Sequence, residues 1–370
     1  MSLVSPALAA VCFSASYAVS RGRFLLAAAE AGASTHTYVH PDAHAPGGGT
    51  LSTDVAVIGP ADAERAALIV SGTHGPEGFV GAAAQIALLR EIAASGPSPD
   101  VALVLVHGIN PWGFAHLSRT TENNVDLNRN FIDWSEPPPA NAHYGELHAF
   151  MCPPNFADET IAQARASIDA WTQANGFEAF SDATMRGQYT HPTGLNYGGT
   201  GREWSNLTLE KIVRAHLNHA RKIALIDWHT GLGDIGEPFF LCFNPRDSAA
   251  WERACDWWGR DRVETRGGFG GAKRPSYTGL LFHGVQRFAA QAEVTGAVVE
   301  FGTQARDEVR RALQLDVQLK FGDNDPSRDE DSAREAVLEA FSPQSIQWRR
   351  RVLAHSIQIQ HRMLDGLRAW

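Results

Sequence analysis

The chain has 370 residues, 44% of them hydrophobic and 20% charged, which is the make-up of a globular protein with a sizeable core. Its 32 basic and 41 acidic residues leave a net charge of −9, which argues against nucleic acid or an anionic membrane as the main partner, although a pocket can still be locally cationic. Four cysteines, Cys12, Cys152, Cys242 and Cys255, stand apart without a CxxC pair, so neither a disulfide scaffold nor a thiolate zinc site is expected.

The N-terminus is apolar but lacks a basic segment ahead of the apolar stretch and a clear cleavage site after it. No apolar run approaches the ~18 residues of a membrane span. These features predict a cytoplasmic protein with free, buried thiols. At this length one large or two modest domains are expected.

A first helix is predicted over 17–31, with Phe24, Leu25 and Leu26 among its apolar positions and Gly32 placed to end it. Strands are expected over 36–39 and 52–58, around the turn Pro46-Gly47-Gly48-Gly49. The apolar run 66–70 reads as a buried strand leading into Ser71-Gly72-Thr73-His74-Gly75-Pro76-Glu77-Gly78, and a helix follows over 79–94. His74 and Glu77, three residues apart in a glycine-rich turn, can face one metal ion. Gly75 and Gly78 would let the backbone bend there, and Pro76 would stiffen it. Taken alone, the stretch reads equally well as a strand-to-helix turn with a helix-capping glutamate.

Further apolar runs at 101–106, 222–228 and 297–301 alternate with helical stretches at 158–174, 206–220 and 247–262. That alternation predicts an α/β fold with a mixed, largely parallel sheet, in which ligands sit beyond the carboxyl ends of the strands. Glu136-Pro137-Pro138-Pro139-Ala140 reads as a stiff connector, and 322–328 with the acidic run after it reads as an exposed loop. Residues 344–370 have the pattern of an amphipathic final helix.

The chemistry-bearing residues fall at the predicted strand ends. Gly108-Ile109-Asn110-Pro111-Trp112-Gly113, Ser118-Arg119 and Asn124-Val125-Asp126-Leu127-Asn128-Arg129-Asn130-Phe131 supply two arginines and an asparagine, donors matched to an anionic group. Asp227-Trp228-His229-Thr230-Gly231 offers a histidine where a third metal ligand would be needed. Asp227 shares a strand face with His229 and is a candidate support for it, or merely a cap on the next turn. Glu300, ending an apolar run, needs a partner or a task, and general-base work beside a zinc ion is one. Gly267-Gly268-Phe269-Gly270-Gly271-Ala272-Lys273 lacks the ending of a phosphate loop, and no Gly-x-Ser-x-Gly elbow occurs. Gly198-Gly199-Thr200-Gly201 is read as a plain turn, and His191 and His283 as structural or rim residues.

The His-Gly-Pro-Glu-Gly, Asn-Pro-Trp-Gly, Asp-Leu-Asn-Arg-Asn-Phe, Asp-Trp-His-Thr-Gly and Val-Glu-Phe-Gly-Thr segments resemble, in that order, the zinc carboxypeptidase superfamily, most closely its bacterial branch DUF2817. The resemblance runs from about residue 13 to the C-terminus, with the diagnostic motifs between 71 and 303. It implies one α/β/α domain spanning 1–370 and one zinc ion held by His74, Glu77 and His229. It also implies Glu300 as the catalytic glutamate and Arg119 as the arginine that polarises the scissile carbonyl. Asn128 and Arg129 would clamp a substrate carboxylate, and Tyr277 would stand for a mobile tyrosine or be an ordinary loop residue. The expected substrate is a small peptide trimmed from its C-terminus, or an N-acyl amino acid as in aspartoacylase and succinylglutamate desuccinylase relatives. A binding module without turnover is the remaining alternative.

Overall fold

Four apolar runs lie side by side as parallel strands, their β-branched and leucine side chains filling layers above and below. The computed structural model describes residues 3–96, 100–263, 273–322 and 329–370. Its strands are β1 (Ser34–His44), β2 (Thr50–Ile58), β3 (Arg65–Val70), β4 (Ala102–His107), β5 (Lys222–Ile235), β6 (Pro238–Leu241) and β7 (Glu293–Gly302). They form one sheet of order β1-β2-β4-β3-β5-β7-β6. Strands β4, β3, β5 and β7 are mutually parallel, whereas the pairs β1–β2, β2–β4 and β6–β7 are antiparallel.

The helices of the first half are α1 (Pro6–Cys12), α2 (Tyr17–Glu30), α3 (Gly78–Ser95), α4 (Pro111–His116), α5 (Ala142–Met151) and α6 (Asp158–Asn175). Those of the second half are α7 (Phe177–Met185), α8 (Trp204–His216), α9 (Ala249–Trp258), α10 (Leu281–Phe288), α11 (Arg306–Phe321), α12 (Glu330–Phe341) and α13 (Ile346–Ala369). Alternate strand residues face opposite layers. Ala67, Ile69, Ala224, Ile226 and Val299 pack under α2, α3, α9 and α13. Leu68, Val70, Ile223 and Leu225 pack under α8 and α10. This is the expected three-layer α/β/α arrangement around a mixed, largely parallel sheet.

Local sequence explains the boundaries. Ser16, Ser248 and Ser345 each accept a hydrogen bond from a first-turn N–H of the helix they precede, opening α2, α9 and α13. Gly259, at φ 98°, stops α9 short of the predicted 262. Strand β5 runs on to Ile235, well past Trp228. Elements not foreseen are β6 and the helices α1, α4, α5, α7, α10, α11 and α12. The acidic run after 328, expected in a loop, instead opens α12: Asp329 accepts from the Ser332 N–H (3.2 Å), and Glu330 and Asp331 suit the positive end of the helix. Residues 323–328 and the glycine-rich stretch 267–272 lie outside the described residues. Glu136, Pro137, Pro138 and Ala140 are exposed and in no regular element, as a surface connector requires.

Helices α5–α7 and α11–α12 stand at the carboxyl ends of the central strands, where Thr230 Oγ1 donates to the Phe341 carbonyl (2.5 Å). Among the described residues no helix is long and apolar enough to cross a membrane. Cys12, Cys242 and Cys255 are buried and Cys152 half-buried, and none is in a disulfide.

Candidate metal centre

The turn after β3 is shaped by what crowds against it. A Cβ on Gly75 would lie 2.1 Å from the Gly113 backbone, and one on Gly78 would lie 2.8 Å from the Phe114 ring. Neither has a positive φ, so glycine serves close approach here rather than the sharp bend expected; the left-handed residue of the stretch is Gly72, at φ 73°. Glu77 holds the N-cap position of α3, yet its side chain caps no N–H of that helix. Its carboxylate turns to the two histidines instead, with Oε1 2.9 Å from His74 Nδ1 and Oε2 3.0 Å from His229 Nδ1. Oε2 also accepts from the Thr230 N–H (2.9 Å).

His229 arrives from β5. The alternation that sends Ile223 and Leu225 toward α8 and α10 carries Asp227 and His229 on the same face. Its Nδ1 lies 3.2 Å from His74 Nδ1, and the donor atoms of His74, Glu77 and His229 all fall within 4.8 Å of one another. All three side chains are buried.

The far nitrogen of each ring is held by a carboxylate. His74 Nε2 is 2.9 Å from Asp126 Oδ1, and His229 Nε2 is 2.8 Å from Asp227 Oδ2, whose other oxygen accepts from Thr73 Oγ1 (2.7 Å). A carboxylate on the outer nitrogen fixes the tautomer that presents Nδ1 inward and raises the ring's basicity. Burial opposes charge on His229, but Asp227 and Glu77 outweigh it and hold the imidazole well above its ordinary pKa. Burial likewise disfavours the charge of Glu77, and the two imidazoles overturn it, so this carboxylate stays ionised. Two inward imidazole nitrogens and an ionised carboxylate are a donor set that fits zinc with three protein ligands.

Glu300 lies beside His229 as its register partner across the β5–β7 pair. Burial first, and then the Glu77 charge, push its carboxyl up to about 8. Its Oε2 is buried without a hydrogen-bond partner among the described residues.

Arg119 Nη1 donates to Asp126 Oδ2 (2.6 Å) and to Asn196 Oδ1 (3.3 Å), so one carboxylate ties His74 and Arg119 together. Asn128 Oδ1 accepts from the Leu281 N–H (2.8 Å), which leaves the amide nitrogen as the donor on offer. Arg129 donates to the carbonyls of Asn128 and Met185 (2.7 Å each) and lies 5.0 Å over the Tyr277 ring. His74, Glu77, His229, Glu300, Arg119, Asn128, Arg129 and Tyr277 all line one cavity of about 220 Å³. His191 and His283 do not line it; His191 packs at a tilt against His148, and His283 packs against Phe243 and Phe282.

Two features escaped the sequence. Asp126 was visible inside the Asp-Leu-Asn-Arg motif, but nothing in the spacing says that it reaches His74 across 52 residues. Asp316 on α11 accepts from Ser118 Oγ (3.1 Å) and the Arg119 N–H (3.0 Å), and no local pattern marks it. The Gly198–Gly201 turn is held by Asn130, whose amide donates to the carbonyls of Gly198 and Gly201 (2.9 and 2.8 Å).

The fold and the site together define an α/β protein with a buried centre of two histidines and one glutamate at the carboxyl ends of a parallel sheet core. The chain belongs to the family described as protein of unknown function DUF2817, whose members' pattern it matches over residues 13–355. Among solved structures it is similar to carboxypeptidase A from Helicoverpa armigera at 12% identity, over 93% of this chain and 73% of that one, with a TM-score of 0.46. It is similar to a metallo-carboxypeptidase from Pseudomonas aeruginosa at 15% identity, over 94% and 68% of the two chains, with a TM-score of 0.45. The succinylglutamate desuccinylase from Chromobacterium violaceum shares 17% identity over 87% and 74%, with a TM-score of 0.36. Comparison with curated proteins finds no match.

Proposed function

We propose that this protein is a zinc-dependent hydrolase that cleaves an amide bond in a small substrate carrying a free carboxylate, in the manner of a carboxypeptidase. The observation that carries this reading is the convergence of three donor atoms within 4.8 Å beside a buried carboxylate, Glu300, whose Oε2 has no partner among the described residues. A glutamate kept protonatable near neutral pH, next to a metal-binding triad and two arginines, is a group poised for proton transfer.

His74, Glu77 and His229 would hold a zinc ion, which when bound would supply Lewis acidity toward the scissile carbonyl and lower the pKa of the attacking water. Glu300 takes a proton from that water as its oxygen bonds to the acyl carbon. Arg119 receives the negative charge that develops on the carbonyl oxygen, held in place for it by Asp126. Glu300 then gives its proton to the departing nitrogen as the carbon–nitrogen bond breaks, leaving a carboxylate and an amine. Asn128 and Arg129 hold the free carboxylate of the substrate, and the apolar Leu241, Phe243 and Val298 beside them accommodate an apolar side chain on that residue.

Metal analysis of purified protein, joined to a hydrolysis screen pairing each free C-terminus with its amide, tests this reading. About one zinc per chain with cleavage of the free acids alone is the expected result. A chain that binds no zinc, or that cleaves amidated substrates equally well, would overturn it. Turnover lost in Glu300→Gln with zinc retained would separate an enzyme from a binding module.

A further inference from the structure

Beyond the carboxylate clamp the cavity has a second wall, built by helices that no strand-end motif announces. Met151, Phe180 and Leu195 form one buried cluster with Leu313 against it, and Val309, Leu313 and Phe341 belong to a second, so Leu313 joins the two into a continuous apolar surface. All six line the cavity.

The two arginines show which side of the metal centre this wall occupies. The loop of Arg119 is fastened to α11 through Asp316, and the pocket face of α11 carries Val309 and Leu313. A Cβ on Gly231, two residues past His229, would lie 3.4 Å from Phe341 and 3.6 Å from Val309. Arg129 rests on Tyr277, which packs with the separate cluster of Phe239, Leu241 and Val298, and is also tied to α7 through the Met185 carbonyl, so the α11–α12 part of the wall is the part farther from the clamp. With the carboxylate at Arg129 and the scissile carbonyl at Arg119, the group attached to that carbonyl must extend toward α11 and α12.

Resting on the hydrolase reading above, we infer that the substrate class of this site is the N-acyl amino acid with a short apolar acyl group, received by the wall of Met151, Phe180, Leu195, Val309, Leu313 and Phe341. Apolar lining with few polar groups favours apolar ligand surface. The volume of about 220 Å³ falls below the roughly 300–1,000 Å³ of drug-sized sites, which suits one amino acid and one short acyl chain. Glu77 and Glu300 are the lining carboxylates, and Arg306 and Arg310 line the cavity at its α11 end, so the rival to an apolar acyl group is an anionic one, which the succinyl compound below represents. Arg310, at the α11 end of the wall, is paired with Asp307 (2.7 Å) rather than directed at a ligand alone.

Calorimetry on zinc-loaded Glu300→Gln protein, which binds without turnover, tests the inference with N-acetyl-leucine, N-hexanoyl-leucine and N-succinyl-leucine. The hexanoyl compound is expected to bind about tenfold or more tighter than the acetyl one. Val309→Trp, which fills the wall, should cut that ratio at least fivefold, and the milder Val309→Ala should shift it less. Equal affinity for the hexanoyl and acetyl compounds, or tightest binding of the succinyl one, would overturn the apolar wall. Wild-type turnover keeps the two readings apart. Cleavage of all three compounds without chain preference would leave the hydrolase standing and remove the wall. Preferential hexanoyl binding with no cleavage by wild type would leave the wall and remove the hydrolase.

Discussion

At the sheet end of the cavity, His74, Glu77 and His229 are held by polar contacts of 2.8–3.2 Å that join three separate segments of the chain. Across from them, the side chains of Met151, Phe180, Leu313 and Phe341 offer apolar contact. The first region is a set of buried charges, each tolerable because a partner sits against it, and losing one partner strands another. The second depends on volume, and apolar surfaces tolerate exchange of similar size. Substitutions at the sheet end should therefore act by chemistry, abruptly, and those in the helical cover by degree.

The largest expected effect separates the two roles within the sheet end. Glu300→Gln keeps the ligand set and should lower kcat by about 10²–10⁴, or roughly 3–5 kcal/mol of barrier. His229→Ala should instead lose the metal itself. Zinc content measured beside kcat distinguishes them, and equal zinc loss in both variants would break the distinction.

A comparison of two strand-end histidines gives the next effect. His229 is flanked by carboxylates, whereas His107, ending β4, is bonded to Ser20 Oγ (2.9 Å) with its Nδ1 buried and without a partner among the described residues. Burial pushes His107 down to about 4 from an ordinary 6.5, with Asp54 partly opposing. A depressed histidine stays neutral in the folded chain while the unfolded chain takes up a proton, so its stabilising share is complete above pH ~6.5 and is lost as pH falls toward 4. The difference amounts to at most about 3 kcal/mol. Thermal melts from pH 7 to 4 should show a shallower acid decline for His107→Gln than for wild type.

Asp126→Asn should weaken zinc binding by about 10–100-fold, because it removes the charge behind His74 Nε2. The same change frees Arg119, so kcat should fall further than zinc occupancy explains. Titration with a competing chelator, with activity read at saturating zinc, separates the two losses.

These contrasts also explain what the sequence made legible. The buried strands announce themselves by composition: 66–70 and 101–106 match β3 and β4 to within a residue, while 222–228 and 297–301 fall on the longer β5 and β7, which extend to Ile235 and back to Glu293. The expected ligands stand at the ends of those strands, and a strand buried on both faces leaves few places where a histidine is tolerated. Helices α5, α7, α11 and α12 are partly exposed, so their apolar positions thin out among polar ones. The pairing of Asp126 with His74, and of Asp316 with Arg119, joins segments 52 and 197 residues apart, a distance over which no spacing rule carries information.

The smallest effect probes the seam between the two regions. Asp316 is buried on the cover helix α11, takes two hydrogen bonds from the Ser118–Arg119 loop, and faces Lys320 Nζ at 3.8 Å. Burial lowers the Lys320 pKa while Asp316 opposes that shift, so the pair shares one buried charge balance. Asp316→Asn keeps the shape and removes the countercharge, which loosens the loop that aims Arg119 without touching a ligand. The expected outcome is a kcat about five- to tenfold lower, near 1 kcal/mol, with zinc content unchanged. Asp316→Glu, which restores the charge at a slightly different reach, should recover part of the loss. If Asp316→Asn left kcat intact and raised KM alone, the cover would act only as a wall, and the positioning of Arg119 would belong wholly to Asp126 and the sheet end.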